Sequence, residues 1–439
     1  MKKKLLLIIA ITVLLCISAA AEDTYVVHFN TPTLFSSEPH RNFCLATYDE
    51  LQEYLAEGIV SYYDENIEIP LLEAYDGESL DWNLEAVRAD FAWNIGCFGQ
   101  GARVGVMDSG VYAHPTLVDN LVEGYNYRNK NTDTNDGKGH GTFVAGIIAS
   151  VAPDVKIVPL KSFNALGTAT LYSLTQALID AVDVFDCDVV NMSFGMPATS
   201  EIPQSMIEAV QYALDAGCIL VAAVGNEGND ILNYPACHEG VIGVGAIDKN
   251  GKVCSFSQRN ESVDFVAPGS GVISVSIEGY TANSGTSFAA PHISALAAIA
   301  RSVNKGLTSE RFANLLEAVC KSKANYEYTY EYGHGAVKAV GMFGVMLSGK
   351  KAFVSPMREE ENGHSAVIYN PSTSSLDAVA VKMAHKNGMM QSAELLPLSL
   401  SSKEVQKVYF SENARVGITV WENLVTMKPL TVCRKTMNN

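Results

Sequence analysis

From residue 102 to residue 304 the chain alternates two residue patterns, and nothing else in its 439 residues restricts the fold as much. ARVGVMD, KIVPLKS, CDVVNMSFG, CILVAAVGN and VIGVGAI are short apolar runs, which read as strands buried on both faces. FVAGIIAS, LYSLTQALIDAVDVF, MIEAVQYALDAG and FAAPHISALAAIARSVN carry helical apolar spacing. Strands alternating with helices imply a parallel sheet covered on both faces, an α/β fold. In such a sheet, ligands and chemistry gather at the carboxyl ends of the strands. Just upstream, SLDWNLEAVRADFAWNIG reads as helical and amphipathic.

The flanks differ in character. MKKKLLLIIAITVLLCISAAAED has a basic start, an apolar run and small residues, so residues 1–21 are expected to be a signal peptide, with maturation near Glu22. The run is short for a membrane span, so no stable anchor is expected and the chain should be secreted. Residues 22–76 read as a small α+β segment: strand TYVVHFN, helix YDELQEYLAEG, strand IVSYYDENIEIPLL. The α/β body then covers 77–346. Residues 347–439 turn to short strands separated by Gly, Asn, Pro and Ser, an all-β accessory domain. A net charge of −17 argues against nucleic acid or an anionic membrane as partner. Of nine cysteines, eight lie beyond Cys16. Export permits disulfides, yet no close metal-type pair occurs, and Cys187 and Cys218 sit in apolar runs where free thiol and bridge remain equally open.

Four fragments carry chemistry. VGVMDSGVYAHP ends a strand in Asp108 followed by a Ser-Gly turn. DGKGHGTFVAGIIAS places His140 between glycines at the start of an apolar helix. NSGTSFAAPHISALAAIA places Ser287 at another helix start, where free N–H groups can meet a developing oxyanion. VAAVGNEG ends a strand at Asn226, whose amide can donate to the same charge. A neutral serine needs a base, and a histidine serves when a buried carboxylate holds its other ring nitrogen. Asp108, His140 and Ser287 supply those roles. The competing Asp119, Asp133 and Asp136 lie in polar loop sequence and read as solvated, and His238 and His334 read as loop positions.

The chain resembles the subtilisin-like serine proteases from about residue 80 to 346. MDSG at 107–110, HGTFVAG at 140–146, NMSFG at 191–195, AAVGNEG at 222–228 and GTSFAAPH at 285–292 carry the resemblance, in that family's order. It implies a subtilisin-like three-layer fold and a serine endopeptidase acting on proteins or peptides. Asp108 would orient His140, His140 would act as base and then acid, Ser287 would attack, and Asn226 would complete an oxyanion hole. Ser193, Phe194 and Gly195 would pair with the substrate backbone and wall the primary pocket. Leu166, Gly167 and Thr168 would form the opposite edge, Ala222 to Gly225 the pocket floor, and Glu227 and Asn233 its rim. His114 and His292 would be structural. Residues 22–76 would be an inhibitory prodomain and intramolecular partner, cut off between Ile69 and Ser79.

Many relatives hold a tight calcium ion through an aspartate after a His-Pro pair and through an inserted loop. Here Thr116 takes the aspartate's place and SVAPDVKI follows GIIAS directly, so no such site and no cofactor are expected. Phe143 replaces a structural histidine. All four catalytic positions are intact, which argues against a non-catalytic binding protein. No G-x-S-x-G elbow surrounds Ser287, which argues against a lipase or esterase.

Overall fold

A computed structural model describes residues 24–29, 43–47, 52, 55–56 and 60–65, and then 82–435 apart from 200–201, 322–325, 361–362, 387–388, 411–414, 423–428 and 432–433. The expected leader and the expected cleavage window lie outside the described residues. The chain divides into two units, Met1–Ser79 and Leu80–Asn439.

In the first unit, Thr24–Phe29 is the central strand of an antiparallel three-stranded sheet, flanked by Phe43–Thr47 and Val60–Glu65. The sequence pattern gives only the first and last of these in chain order, TYVVHFN and IVSYYDENIEIPLL, so FCLAT is an added strand. Most of the expected helix at 48–58 lies outside the described residues.

In the second unit, seven strands form one parallel sheet. Their order is Phe265–Pro268, Ile242–Ile247, Ile219–Ala223, Val189–Met192, Arg103–Asp108, Lys156–Lys161 and Tyr125–Asn126. Alternate side chains feed two cores, as a strand's period of two requires. Val104, Val106, Val189 and Val221 face the helices His140–Val151 and Thr286–Val303. Met107, Val190 and Ala222 face Leu171–Asp183 and Gln204–Asp215. The helix Thr286–Val303 is buried almost all round, which its run of alanines permits by allowing close approach. The amphipathic stretch at 80–96 is not one helix. It breaks into Trp82–Val87 and Ala89–Asn94 at Arg88, whose φ of 55° leaves the right-handed helical region.

Beyond the helix Ala339–Met346, two four-stranded antiparallel sheets face each other across a small core that includes Ile368, Ala380, Leu398, Phe410 and Ile418. Met389–Leu400 is a strand that the sequence reading missed. It contains Pro397, tolerated because this strand lies at the sheet edge. The β region packs on the α/β body: Phe353 and Tyr369 enter the body's core. Arg358 makes two hydrogen bonds to Asp154, of 2.7 and 3.1 Å, and lies 3.9 Å over the Phe98 ring. Cys97, Cys187, Cys218, Cys237 and Cys254 are free thiols. The side chains of Cys44 and Cys433 lie outside the described residues.

Candidate active site

Asp108 closes its strand at the carboxyl end of the sheet and is 4% exposed. Both carboxylate oxygens lie 2.9 Å from Nδ1 of His140, and one also accepts the Ser109 N–H at 2.7 Å. An ionised carboxylate only accepts, so Nδ1 carries the proton and Nε2 keeps its lone pair. Burial works against a charged imidazole here, but the charge and hydrogen bond of Asp108, with help from Asp136, outweigh it. The His140 pKa therefore stands above its ordinary value of 6.5.

His140 is the first residue of its helix, and the helix N-terminus is satisfied by a side chain the sequence reading placed in solvent. Asp136 is 3% exposed. It accepts the backbone N–H groups of Lys138, Gly139 and Thr142 at 2.9 Å each and the Thr142 hydroxyl at 2.7 Å. Burial would raise its pKa, yet these four donors hold it below 3.8. The expectation of a solvated Asp136 is thus corrected: a polar loop folds back and spends its carboxylate on the orphan donors of a helix start. Asp119 and Asp133 are exposed. Lys161, 8% exposed, lies behind the pair and donates at 2.6 Å to the carbonyls of Ser109 and Asn135, tying together the loops that carry Asp108 and His140. Burial lowers its pKa against the opposing pull of Asp136, Asp133 and Asp108.

Ser287 is the second residue of the helix Thr286–Val303. The proline four residues later has a local consequence. Pro291 has no N–H, so the Ser287 carbonyl loses its helical partner. The Ser193 hydroxyl takes that place, donating to the Ser287 carbonyl at 2.7 Å. The Ser287 hydroxyl in turn donates to the Ser193 carbonyl at 3.0 Å. Its rotamer therefore points along the 193–195 segment, and no hydrogen bond to His140 is formed. His140 lies over the neighbouring Phe288, ring centroids 5.4 Å apart. Behind Ser193, buried Asn191 donates to its hydroxyl at 2.8 Å and accepts from Ser294 at 2.9 Å.

Asn226 has its amide oxygen engaged twice, by the Thr286 N–H at 2.8 Å and the Thr286 hydroxyl at 3.0 Å. With the oxygen pinned, the NH₂ end is turned away from Thr286. Asn191, Thr286 and Lys161 were not singled out from sequence. A polar residue inside an apolar strand run was the available signal for Asn191 and Lys161.

The residues expected to bind substrate lie on two edges. Phe194 and Phe163 meet at 5.1 Å between ring centroids, which brings the 193–195 segment beside the loop that carries Gly167. Gly195 and Thr168 are exposed, and Leu166 is 82% exposed at that loop's tip. Ala222 and Val224 are buried and Gly225 is half-buried. Glu227 is exposed, but Asn233 is not at a rim: it is 5% exposed and donates to the Val224 carbonyl at 2.9 Å.

His292 is fully buried between the Asn83 amide at 3.0 Å and the Phe288 carbonyl at 2.9 Å, and burial pushes its pKa down to about 4. His114 bonds Thr116 at 2.9 Å. The helix His140–Val151 is followed by the strand Lys156–Lys161 without an inserted loop. Among the described residues, no group of three or more His, Cys, Asp or Glu is placed to hold a metal ion, and no helix is long and apolar enough to cross a membrane.

A sequence model of the Subtilase family matches residues 99–335. M-protease of Shouchella clausii (strain KSM-K16) is 34% identical over 290 residues, covering 64% of this chain and 73% of that protein. Subtilisin Savinase of Lederbergia lenta is 35% identical over 272 residues, covering 60% of this chain and 98% of that one. Among solved structures, the MycP3 protease of the type VII (ESX-3) secretion system aligns with a TM-score of 0.55 at 25% identity, over 61% of this chain and 89% of its own. A lanthipeptide protease gives the same TM-score at 23% identity, over 61% and 95%, a likeness of fold.

Proposed function

The chain belongs to the subtilase family and is a serine endopeptidase acting on proteins or peptides, and from that premise we propose that Asp108, His140, Ser287 and Asn226 carry its chemistry and that it is made as a secreted zymogen. The observation that carries this reading is the Asp108–His140 pair at 2.9 Å, which leaves His140 Nε2 free as a base beside the Ser287 helix start.

The steps follow from that arrangement. The Ser287 hydroxyl turns from the Ser193 carbonyl to His140 as substrate enters. His140 Nε2 takes its proton while Oγ bonds to the scissile carbonyl carbon. The carbonyl oxygen becomes an oxyanion and is met by the Ser287 N–H and the Asn226 amide. Asp108 stabilises the imidazolium without taking its proton. The intermediate collapses, the C–N bond breaks, and His140 gives the proton to the leaving amine. Water then gives a proton to His140, its oxygen attacks the acyl carbon, and collapse returns the proton to Ser287 and releases the acid. No cofactor is required. Ser193, Phe194, Gly195 and Gly167 bind the substrate backbone as an added strand.

Residues 22–76 are proposed to be the inhibitory prodomain, with residues 1–21 directing export and no membrane anchor remaining. The support is the leader pattern and the separate three-stranded unit before residue 80. Incubating the chain lacking residues 1–21 beside its Ser287→Ala twin, with N-terminal sequencing, tests this. Release of a segment ending within 69–79 by the wild type alone supports it. A wild type that cleaves peptides while staying full length overturns the zymogen reading.

A further inference from the structure

Between Asp136 and His140 stands Lys138, an exposed lysine on a chain whose net charge is −17. Its backbone N–H is committed to Asp136, but among the described residues no carboxylate or carbonyl pairs with its ammonium group. The side chain, although exposed, lies against a neighbouring loop. A Cβ placed on Gly167 would meet Lys138 Cε at 2.9 Å and Nζ at 3.0 Å, so the lysine lies along the backbone of that glycine. A Cβ on Gly137 would likewise meet Ala165 at 3.2 Å, a second contact between the same two loops. The ammonium is also close enough to His140 to oppose its protonation. Lys138 therefore joins the His140 loop to the 164–168 edge and puts an unpaired positive charge between that edge and His140.

Three carboxylates, Asp133 and Asp136 on the same loop and Asp108 against His140, are the candidates to neutralise that charge, and none pairs with it. Asp136 is saturated by its four donors, Asp108 by His140 and Ser109, and Asp133 caps the Asn135 N–H at 3.1 Å. Resting on the peptidase reading above, we propose that Lys138 is a specificity-determining residue that selects substrates with Asp or Glu one residue before the residue whose carbonyl is attacked. An extended substrate alternates its side chains. If the attacked residue turns its side chain into the pocket beside Phe194, the preceding one turns to the other face of the substrate strand, toward His140 and Lys138. A carboxylate there meets the ammonium; a lysine there meets a like charge.

The pairing is partly open to water, which limits its size. Exposed ion pairs translate into selectivities of about two- to five-fold and weaken with salt. The test uses the chain lacking residues 1–21, in whatever processed form is active, and three peptides that differ only at that position: Glu, Gln and Lys. The expected order of kcat/KM is Glu over Gln over Lys, with Glu over Gln by about two- to five-fold at low salt, shrinking toward one in high salt. Lys138→Gln should collapse the Glu-to-Gln ratio to about one, and Lys138→Glu should favour the Lys peptide. Each ratio is internal to one variant, so a change in overall rate does not disturb it. A wild type without Glu selectivity, or a selectivity that survives Lys138→Glu, overturns the assignment of Lys138 alone. A wild type that cleaves none of the peptides overturns it together with the peptidase reading.

Discussion

Replacing Asp136 by Asn should cost the fold about 2–4 kcal/mol, although the substitution keeps size and shape. The magnitude follows from the donors around the carboxylate. Oδ1 accepts from Lys138 N and Gly139 N, and an asparagine oxygen can replace it. Oδ2 accepts from Thr142 N and the Thr142 hydroxyl. An amide NH₂ in that place faces two donors. The Thr142 hydroxyl, which accepts the Tyr112 N–H at 2.9 Å, has a second lone pair and can turn to accept the new amide, but the Thr142 N–H can only donate. At least one buried N–H is left without a partner, worth about 1–3 kcal/mol. Loss of negative charge at a helix start adds roughly 0.3–1 kcal/mol, and the charge-assisted bonds weaken besides. The assay is urea unfolding of the Ser287→Ala chain with and without Asp136→Asn, as a function of pH. Asp136 has a folded pKa held below 3.8. Its stabilisation is therefore complete above that unfolded value and fades as pH falls through the lower folded one, so the two stability curves should converge in acid. A gap under about 0.5 kcal/mol at neutral pH, or one that widens in acid, would refute the reasoning.

Asn226→Ala should lower kcat by about two to three orders of magnitude with little change in KM, the loss known for the oxyanion asparagine of subtilisin; steady-state kinetics on a neutral peptide reads it. Thr286→Val removes one of the two donors that pin the Asn226 oxygen and also the acceptor of the Gly225 N–H at 3.2 Å, so kcat should fall by roughly 3- to 10-fold, from a lost hydrogen bond of about 1 kcal/mol, and the melting temperature should fall with it. Gly225→Ala should be damaging for two reasons: φ is +116°, and the new Cβ would sit 2.2 Å from the buried Asn233 nitrogen, so melting temperature and activity should fall together. Because the His140 pKa is raised and catalysis needs the neutral ring, log kcat/KM should decline as pH falls through a value above 6.5, and Asp136→Asn should move that limb to lower pH by removing a charge that holds the proton on.

The parallel sheet was legible because buried strands and their covering helices differ in length and period, and the candidate site because strand ends and helix starts are marked by Asp-Ser-Gly, Gly-His-Gly and Gly-Thr-Ser. What was not legible depends on how the chain turns back on itself. Asp136 looks solvated in DGKGH until the loop and the first turn of the next helix bring it four donors. Asn233 looks like a loop residue until its amide reaches Val224. The break at Arg88 has no glycine to announce it, since arginine adopts the left-handed region there. Met389–Leu400 hides behind Pro397, which only its edge position in the sheet excuses. Pro291 was visible as an oddity, but its effect, freeing the Ser287 carbonyl for Ser193, appears only when the two segments are side by side.

The central claim is that Ser287, served by His140, is the nucleophile. Reaction with a fluorophosphonate probe, followed by intact mass and peptide mapping across pH, tests it most directly. The account predicts one adduct on Ser287, a rate that falls in acid with the protonation of His140, and loss of labelling in Ser287→Ala and in His140→Ala. An adduct on another residue, or a processed wild-type chain that takes no label, would contradict it.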